Sequence, residues 1–175
     1  YVAMHEHDLN MPFRRYHIAP VWRAERPQKG RYREFFQCDV DIVGVASMAA
    51  DAEIVSLLAT ALGRLGFLDF TVHINNRKIL TGIGVYAGVP ETQLGDLYRS
   101  IDKLDKIGPE GVRKELVESG LSAAMIDRLM ALLDRRGAGL EDLRRELGGV
   151  PQAEEGIREL LELAGHLEAF GVPAA

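Results

Sequence analysis

Two segments in the first quarter of the chain alternate apolar and polar residues at a period of two. Residues 15–22 and 34–43 show this alternation, and a connection containing Gly and Pro joins them. The pattern predicts an antiparallel hairpin with one apolar and one polar face. The apolar face, which we expect to be the core face, carries Tyr16, Ile18, Trp22, Phe36, Cys38, Val40 and Ile42. Proline cannot donate to a strand ladder, so Pro20 predicts a bulge or an unpaired position.

Helical spacing replaces this alternation over most of the remaining chain. Apolar residues three and four positions apart predict a helix over residues 48–65, and a short strand over residues 70–75 precedes a helix over residues 76–88. Short amphipathic helices broken by Gly and Pro are then predicted over residues 91–105, 109–118, 122–136, 139–147 and 152–170. The fold class is therefore α+β, with a mixed domain over residues 1–88 and a small all-α domain over residues 89–175.

The composition is that of an ordinary globular protein. The chain has 175 residues, of which 47% are hydrophobic, enough for one domain or two small ones. No apolar run approaches the roughly 20 residues that span a bilayer, and the single cysteine, Cys38, excludes an internal disulfide. We expect a soluble, cytoplasmic protein without a membrane partner. Because the chain begins at Tyr1 and not at Met, we also expect it to be a piece of a longer protein.

A cationic cluster stands out against the overall formal charge of −5. Between residues 22 and 33 the one anion is Glu25, and the five cations are Arg23, Arg26, Lys29, Arg31 and Arg33. The polar face of the following strand carries Phe35, Gln37, Asp39 and Asp41. Guanidinium groups suit phosphate oxygens, carboxylates suit an ammonium or a ribose-like hydroxyl, and an aromatic ring suits a flat base. The cluster predicts a site for a ligand that is anionic at one end and cationic at the other; the alternative is a solvated hairpin tip laced with salt bridges.

These residues carry a family resemblance. The stretch "VWRAERPQKGRYREFFQ" resembles motif 2 of class II aminoacyl-tRNA synthetases, in the form that histidyl-tRNA synthetases use. "CDVDIVG", "INNRKILTGIG" and "IDKLDKIGPEGVRKEL" resemble successive segments of that family in the same order, so the similarity runs from about residue 15 to residue 172. The resemblance implies part of the class II antiparallel sheet with flanking helices over residues 1–88, followed by a helical insertion domain over residues 89–175.

The resemblance also assigns residues to ATP. Arg23 is the expected catalytic residue, gripping the α-phosphate of ATP and the histidine carboxylate as they react. Glu25 would help to fix ATP, Arg31 would hold the terminal phosphates, and Phe35 would stack against adenine. Mg²⁺ is expected with ATP, whereas no metal site is predicted within the protein, because His5 and His7 lack a third ligand at a useful spacing.

Histidine and tRNA account for the remaining assignments. By resemblance, Gln37 and Asp41 bind substrate histidine, and Asp41, where some family members have Glu, takes its α-ammonium. Arg26, Gln28 and Lys29 would reach the acceptor stem of tRNA(His), with Gln28 at the terminal base pair. The implied function is ATP-dependent activation of L-histidine to histidyl-adenylate and transfer to tRNA(His), by a full-length protein that is a homodimer.

The family pattern has parts that lie outside this chain. Motif 1 and a Glu-Gly-Thr turn are expected before Tyr1, and an Arg-Gly-Leu-Asp-Tyr-Tyr segment, motif 3 and an anticodon-binding domain are expected after Ala175. We therefore expect the 175-residue chain to be inactive alone. Two non-catalytic alternatives remain: the histidine-sensing regulatory subunit of ATP phosphoribosyltransferase, and a synthetase-like domain that binds uncharged tRNA. The intact cationic loop favours the enzyme, because both alternatives are expected to have lost ATP and acceptor-end contacts.

Overall fold

The protein is described by a computed structural model that covers residues 1–134 and 139–172. Two compact units divide the chain: Tyr1–Phe70 with Gly165–Ala175, and Thr71–Ala164. The break between the units at residues 70 and 71 precedes the domain boundary predicted near residue 88. The assignment of residues 1–88 and 89–175 to separate functional domains therefore stays a prediction.

The first unit is built on a hairpin of two antiparallel strands. Two 3₁₀ turns (Val2–Met4 and Glu6–Asp8) precede β1 (Phe13–Trp22) and β2 (Glu34–Val43), and α1 (Met48–Arg64) follows. The α+β class is thus confirmed, and both strands occur where the alternation predicts them. Strand pairing is continuous, from Phe13 opposite Val43 to Trp22 opposite Glu34.

The bulge predicted at Pro20 is wrong, because Pro20 pairs in register with Phe36. The reason lies in the alternation of hydrogen-bonded and non-hydrogen-bonded pairs in an antiparallel ladder. The Arg23 amide donates to the Arg33 carbonyl (2.9 Å), so the hydrogen-bonded positions of β1 are the odd-numbered ones. Pro20 falls at an even position, where the backbone nitrogen faces away from β2 and no donor is needed.

The two hairpin faces are sorted as predicted, but most of the expected core face is exposed in this chain. Tyr16 and Phe36 are 77% and 72% exposed, and Ile18, Trp22 and Cys38 on the same face are exposed too. A two-stranded ribbon buries an apolar face only when a second layer covers it. Among the described residues, α1 covers one end of this face, where Val40 and Ile42 are half-buried beside Ile54 and Leu57. The part of the face nearer the loop has no such cover from the described residues.

Hydrogen bonds cap the N-terminus of α1 and attach this helix to the hairpin. The Ser47 Oγ accepts a hydrogen bond from the Ala49 amide (3.2 Å), which is the usual N-cap arrangement. The guanidinium of Arg14 donates to both carboxylate oxygens of Glu53, at 2.7 and 2.9 Å. These hydrogen bonds lower the pKa of Glu53 and raise the pKa of Arg14.

The second unit is helical. Its elements, with the helices numbered onward from α1, are α2 (Arg77–Ala87), a 3₁₀ turn (Glu91–Gln93), α3 (Leu94–Ile101), α4 (Leu104–Glu118), α5 (Ala123–Leu133), α6 (Leu140–Glu146) and α7 (Pro151–Ala169). Helix α5 is capped by the Ser122 Oγ, which accepts a hydrogen bond from the Met125 amide (3.4 Å). The single predicted helix over residues 91–105 is wrong: a 3₁₀ turn and α3 occupy its place, and α4 starts before its end. The helical geometry of α4 is interrupted at Gly108 (φ 70°, ψ 174°), and the helix predicted over residues 109–118 forms the part of α4 after this kink.

The strand predicted over residues 70–75 is also wrong, because that segment has no regular structure. A strand needs a neighbour to pair with, and the described residues place none beside it. The core of the helical unit consists of buried side chains from its helices and loops. The largest fully buried side chains are Leu97, Val112, Leu116, Ile126, Leu129, Leu147 and Ile157.

Helices α2 and α7 approach each other closely at their N-terminal ends. The Asn76 Oδ1 caps α2 by accepting from the Lys78 amide (2.8 Å), while its Nδ2 donates to Glu159 Oε2 (2.7 Å). The Lys78 Nζ reaches Glu155 Oε1 (2.8 Å) and Glu159 Oε1 (2.5 Å). Hydrogen bonds from Lys78 and Asn76 lower the pKa of Glu159.

Glycine makes this approach possible, and its replacement has a predictable cost. A Cβ added at Gly156 of α7 would lie 2.8 Å from Ile79 Cγ1 and 2.9 Å from the Ile79 backbone nitrogen. We expect Gly156→Ala to lower the free energy of unfolding by about 1–3 kcal/mol, measured by urea denaturation of the 175-residue chain. The matched control is Gly165→Ala in the same helix, where a Cβ meets nothing within 4 Å; we expect it to be neutral or to stabilise by up to about 1 kcal/mol. Equal effects of the two changes would contradict the close packing.

Candidate active site on the hairpin

The tip of the hairpin is a tight turn that presents its side chains to solvent. The Gln28 amide donates to the Arg31 carbonyl (3.2 Å), and the Arg31 amide donates back to the Gln28 carbonyl (2.9 Å). Gly30 closes the turn with a φ of 78°, a conformation that L side chains rarely adopt. Arg26, Gln28 and Lys29 are exposed on this tip, and within the described part of the chain Arg26 and Lys29 have no ion-pair partner.

The base of the loop is held by Glu25 and two arginines. The Arg31 Nε lies 2.7 Å from Glu25 Oε2, and the Arg33 Nε donates to the Glu25 carbonyl oxygen (3.3 Å). The Arg31–Glu25 ion pair is of the kind expected from the alternative interpretation, a solvated hairpin tip with salt bridges. Arg31 and Glu25, both predicted to contact ATP, lie together and opposite in charge, so an incoming phosphate competes with the carboxylate for Arg31.

Further along the polar face, hydrogen bonds join the predicted catalytic arginine to the predicted histidine-binding glutamine. The Arg23 Nη2 donates to Gln37 Oε1 (3.1 Å), and the Gln37 Nε2 donates to Asp39 Oδ1. The Arg23 guanidinium carbon also lies 5.1 Å from the centre of the Phe35 ring. The structure thus brings three of the predicted site residues together, and Asp39 joins them.

At the far end of the same face, Asp41 lies opposite Arg15 in the strand register. The Arg15 Nη2 is 2.6 Å from Asp41 Oδ2. That oxygen is shielded from solvent and, among the described residues, receives no hydrogen bond in good geometry, so the contact is an ion pair only. Buried polar atoms normally have hydrogen-bond partners, and Asp41 Oδ2 therefore has capacity to accept one from a ligand.

Sequence reasoning did not identify Arg15 as a site residue, and it placed Arg33 in the cationic cluster without predicting its contact. Arg15 is two positions before His17, and the period-two alternation places it on the polar face. Extending the alternation and assuming an unbroken register would have found its pairing with Asp41. No comparable signal existed for Arg33, because its contact with the Glu25 backbone depends on the path of the loop.

Two further properties concern the whole described region. Within residues 1–134 and 139–172, no group of three or more His, Cys, Asp or Glu side chains is arranged to hold a metal ion. The helices of the same region include none with the length and apolar character required to cross a bilayer.

Comparison with known proteins identifies relatives along the whole chain. The family model described as histidyl-tRNA synthetase matches residues 2–175. The histidine–tRNA ligase of Gloeobacter violaceus is 46% identical over 170 residues, covering 95% of this chain and 36% of the relative. The histidine–tRNA ligase of Aeropyrum pernix is 49% identical over 167 residues, covering 89% of this chain and 37% of the relative. The chain therefore spans somewhat more than a third of the length of these relatives.

Solved structures lead to the same family. The histidyl-tRNA synthetase of Nostoc sp. PCC 7120 superimposes with a TM-score of 0.85 at 32% identity, covering 99% of this chain and 41% of that one. A protein from Bacillus halodurans C described as an ATP phosphoribosyltransferase regulatory subunit/histidyl-tRNA synthetase superimposes with a TM-score of 0.77 at 27% identity, covering 98% of this chain and 44% of that one. From the sequence match and the shared fold, we conclude that the chain belongs to the histidyl-tRNA synthetase family.

Proposed function

We propose that the longer protein to which this chain corresponds is a histidine–tRNA ligase, and that the hairpin supplies part of its catalytic site. The observation that carries the proposal is the polar face of the hairpin, where Arg23, Phe35 and Gln37 are in contact beside an exposed cationic loop. The relatives named above support it, since they are histidine–tRNA ligases. In this proposal residues 1–88 belong to the catalytic domain and residues 89–175 form an insertion domain.

The proposed ATP contacts follow the loop and its base. Arg23 contacts the α-phosphate, Arg31 leaves Glu25 to hold the terminal phosphates, and Phe35 stacks against adenine. Arginine suits these positions because its planar fork donates two parallel hydrogen bonds to phosphate oxygens. Mg²⁺ is proposed to arrive bound to the ATP phosphates, as is usual for this ion. Within residues 1–134 and 139–172 no cluster of three or more His, Cys, Asp or Glu side chains is arranged to hold the ion.

The proposed histidine contacts lie further along the strand. Gln37 and Asp41 bind the amino acid, and the free hydrogen-bonding capacity of Asp41 Oδ2 supports a role in accepting the α-ammonium. The ammonium would share this carboxylate with Arg15. In the absence of substrate the Arg15 guanidinium neutralises the Asp41 carboxylate. Because both side chains are 44% exposed, solvent screens this pair.

The reaction is a displacement at phosphorus. A carboxylate oxygen of histidine attacks the α-phosphorus of ATP, the bond to the bridging oxygen breaks, and pyrophosphate leaves, giving histidyl-adenylate. The 2′- or 3′-hydroxyl of the terminal ribose of tRNA(His) then attacks the activated carbonyl carbon; AMP leaves and the hydroxyl proton is released. Arg23 acts by positioning two anions and by stabilising the charge that develops on the phosphoryl oxygens.

The exposed turn is proposed to contact the acceptor stem of tRNA(His). Arg26 and Lys29 have charged side chains that are exposed to solvent, as phosphate contacts require, and Gln28 has an amide able to read a base edge. A homodimeric assembly and a cytoplasmic location are likewise proposed for the longer protein. Sedimentation and fractionation of that protein would test them.

A regulatory subunit without ligase activity is the second candidate, and the Bacillus halodurans C structure, whose description names both functions, is the observation that favours it. One experiment separates the two. The full-length protein encoded at this locus is assayed for histidine-dependent exchange between ATP and pyrophosphate and for charging of tRNA(His).

We expect both activities from the full-length protein and neither from the 175-residue chain. Histidine binding by the full-length protein without exchange or charging would support the regulatory subunit. Charging by the short chain would show that this chain contains the whole catalytic site.

A further inference from the structure

We propose that Asp39 is a positioning residue that fixes the side-chain amide of Gln37 in one orientation and, through that amide, holds the guanidinium of Arg23. This inference rests on the proposed function of the hairpin. Asp39 itself is assigned no contact with substrate. It acts through a chain of two hydrogen bonds, from Arg23 to Gln37 Oε1 and from Gln37 Nε2 to Asp39 Oδ1.

The orientation of the Gln37 amide is set by which of its partners donate hydrogen bonds and which accept them. An ionised carboxylate only accepts hydrogen bonds, and a guanidinium only donates them. A glutamine amide has one end of each kind, so between Asp39 and Arg23 it fits both partners in a single orientation. The NH₂ group must face Asp39 and the carbonyl oxygen must face Arg23. Without Asp39, the amide loses its restraint at one end and is free to rotate or flip.

The strand register explains why these three side chains meet. Gln37 and Asp39 are two residues apart on β2 and share one face. The residue opposite Gln37 is Ala19, whose methyl side chain has no hydrogen-bonding group to compete for the amide. The residue opposite Asp39 is His17, the other titratable group that faces this carboxylate across the ladder. Backbone pairing therefore brings Arg23, Gln37 and Asp39 close together, and the lengths and hydrogen-bonding groups of their side chains allow the two hydrogen bonds.

Fixing Arg23 matters because its contacts are directional. One guanidinium nitrogen, Nη2, donates to Gln37, which leaves donors of the same group for the α-phosphate and the histidine carboxylate. A flipped amide would turn NH₂ towards the guanidinium, donor against donor, and displace it. A displacement of about 1 Å in a positioning group is sufficient to cost much of the rate.

The loss of Asp39 should therefore act on turnover and on the use of histidine. The proposed ATP contacts other than Arg23 belong to Glu25, Arg31 and Phe35, whereas the hydrogen bond of Asp39 goes to Gln37. We expect the KM for ATP to stay within about twofold of the wild-type value, because these contacts do not run through Asp39.

The experiment is a double-mutant cycle in the full-length protein, read by the exchange between ATP and pyrophosphate. The variants are Asp39→Ala, Gln37→Ala, the double variant and the isosteric Asp39→Asn. We expect Asp39→Ala to lower kcat/KM for histidine by about tenfold or more. Asp39→Asn keeps an acceptor oxygen and should recover most of the activity. The double variant should be no worse than Gln37→Ala alone, because Asp39 has nothing left to hold.

The control is Glu34→Ala, which removes a carboxylate from the same strand but from the opposite, exposed face; we expect no change in the histidine or ATP parameters. Additive losses in the cycle, or an unchanged kcat/KM for Asp39→Ala, would overturn the inference. If Asp39→Ala does not fold, Asp39→Ser replaces it in the cycle, because serine keeps a polar group but its side chain is shorter than that of aspartate. A wild-type protein that shows no histidine-dependent exchange would instead contradict the proposed function.

Discussion

Replacement of Arg23 by alanine is expected to reduce the exchange between ATP and pyrophosphate by at least about 100-fold in the full-length protein. The loss follows from the reaction, in which two anions approach and negative charge grows on the phosphoryl oxygens. Arg23 is the arginine that the structure places in contact with Gln37 and Phe35 on the polar face of the hairpin. Alanine removes its charge and its fork of donors together. Histidine-dependent exchange of labelled pyrophosphate into ATP measures the effect.

Two further variants sharpen this test. Arg23→Lys keeps the charge but loses the planar fork, and we expect it to restore only a small part of the activity. Arg64→Ala is the matched control, because Arg64 is an exposed arginine in the last turn of α1, and it should exchange at the wild-type rate. Near-normal exchange by Arg23→Ala would remove Arg23 from the catalytic site.

Replacement of Asp41 by asparagine is expected to raise the KM for histidine by about tenfold or more, since a hydrogen bond to a charged group contributes about 1.5–3 kcal/mol. The variant loses the negative charge that would meet the α-ammonium, and it leaves Arg15 without its ionic partner. The KM for ATP should change little, because ATP is proposed to bind nearer the loop. Steady-state exchange kinetics at varied histidine, with ATP saturating, measure the change.

The conservative and control variants of Asp41 separate substrate binding from strand pairing. Asp41→Glu retains a carboxylate and should keep most of the affinity for histidine. Asp69→Asn alters an exposed carboxylate outside the helices and strands and should have no effect. If Asp41→Asn melts at a lower temperature but keeps the wild-type KM for histidine, Asp41 serves the pair with Arg15 and not the substrate.

Much of the site can be predicted from the sequence because its organisation is local. A period of two sorts side chains by face, so the alternation alone assigns Phe35, Gln37 and Asp41 to one polar face. Helix starts with a hydrogen-bonding cap, such as Ser122, are equally predictable. Contacts that cross the ladder are harder to predict, because a pair such as Arg15 and Asp41 depends on the register, which a bulge at Pro20 would have shifted.

The wrong predictions share a dependence on neighbours that are distant in the chain. Residues 70–75 have the composition of a strand, but a strand forms only beside a partner, and the described residues provide none. The apolar face that carries Tyr16 and Phe36 is predicted to be core, but burial of the whole face requires a second layer, and among the described residues α1 covers only one end of it. Alternation reports which residues share a face; it does not report what covers that face.

The sequence by itself determined the hairpin, its two faces, the cationic loop, most of the helices and the resemblance to histidyl-tRNA synthetases, because each of these depends on residue types at short spacing. Only the tertiary structure decided that Arg31 rests on Glu25, that Arg15 pairs with Asp41, and that Gln37 lies between Arg23 and Asp39. These contacts depend on strand register and on the path of a loop. They join residues up to 26 positions apart in the chain, and no local pattern specifies which of several compatible partners a long polar side chain will meet.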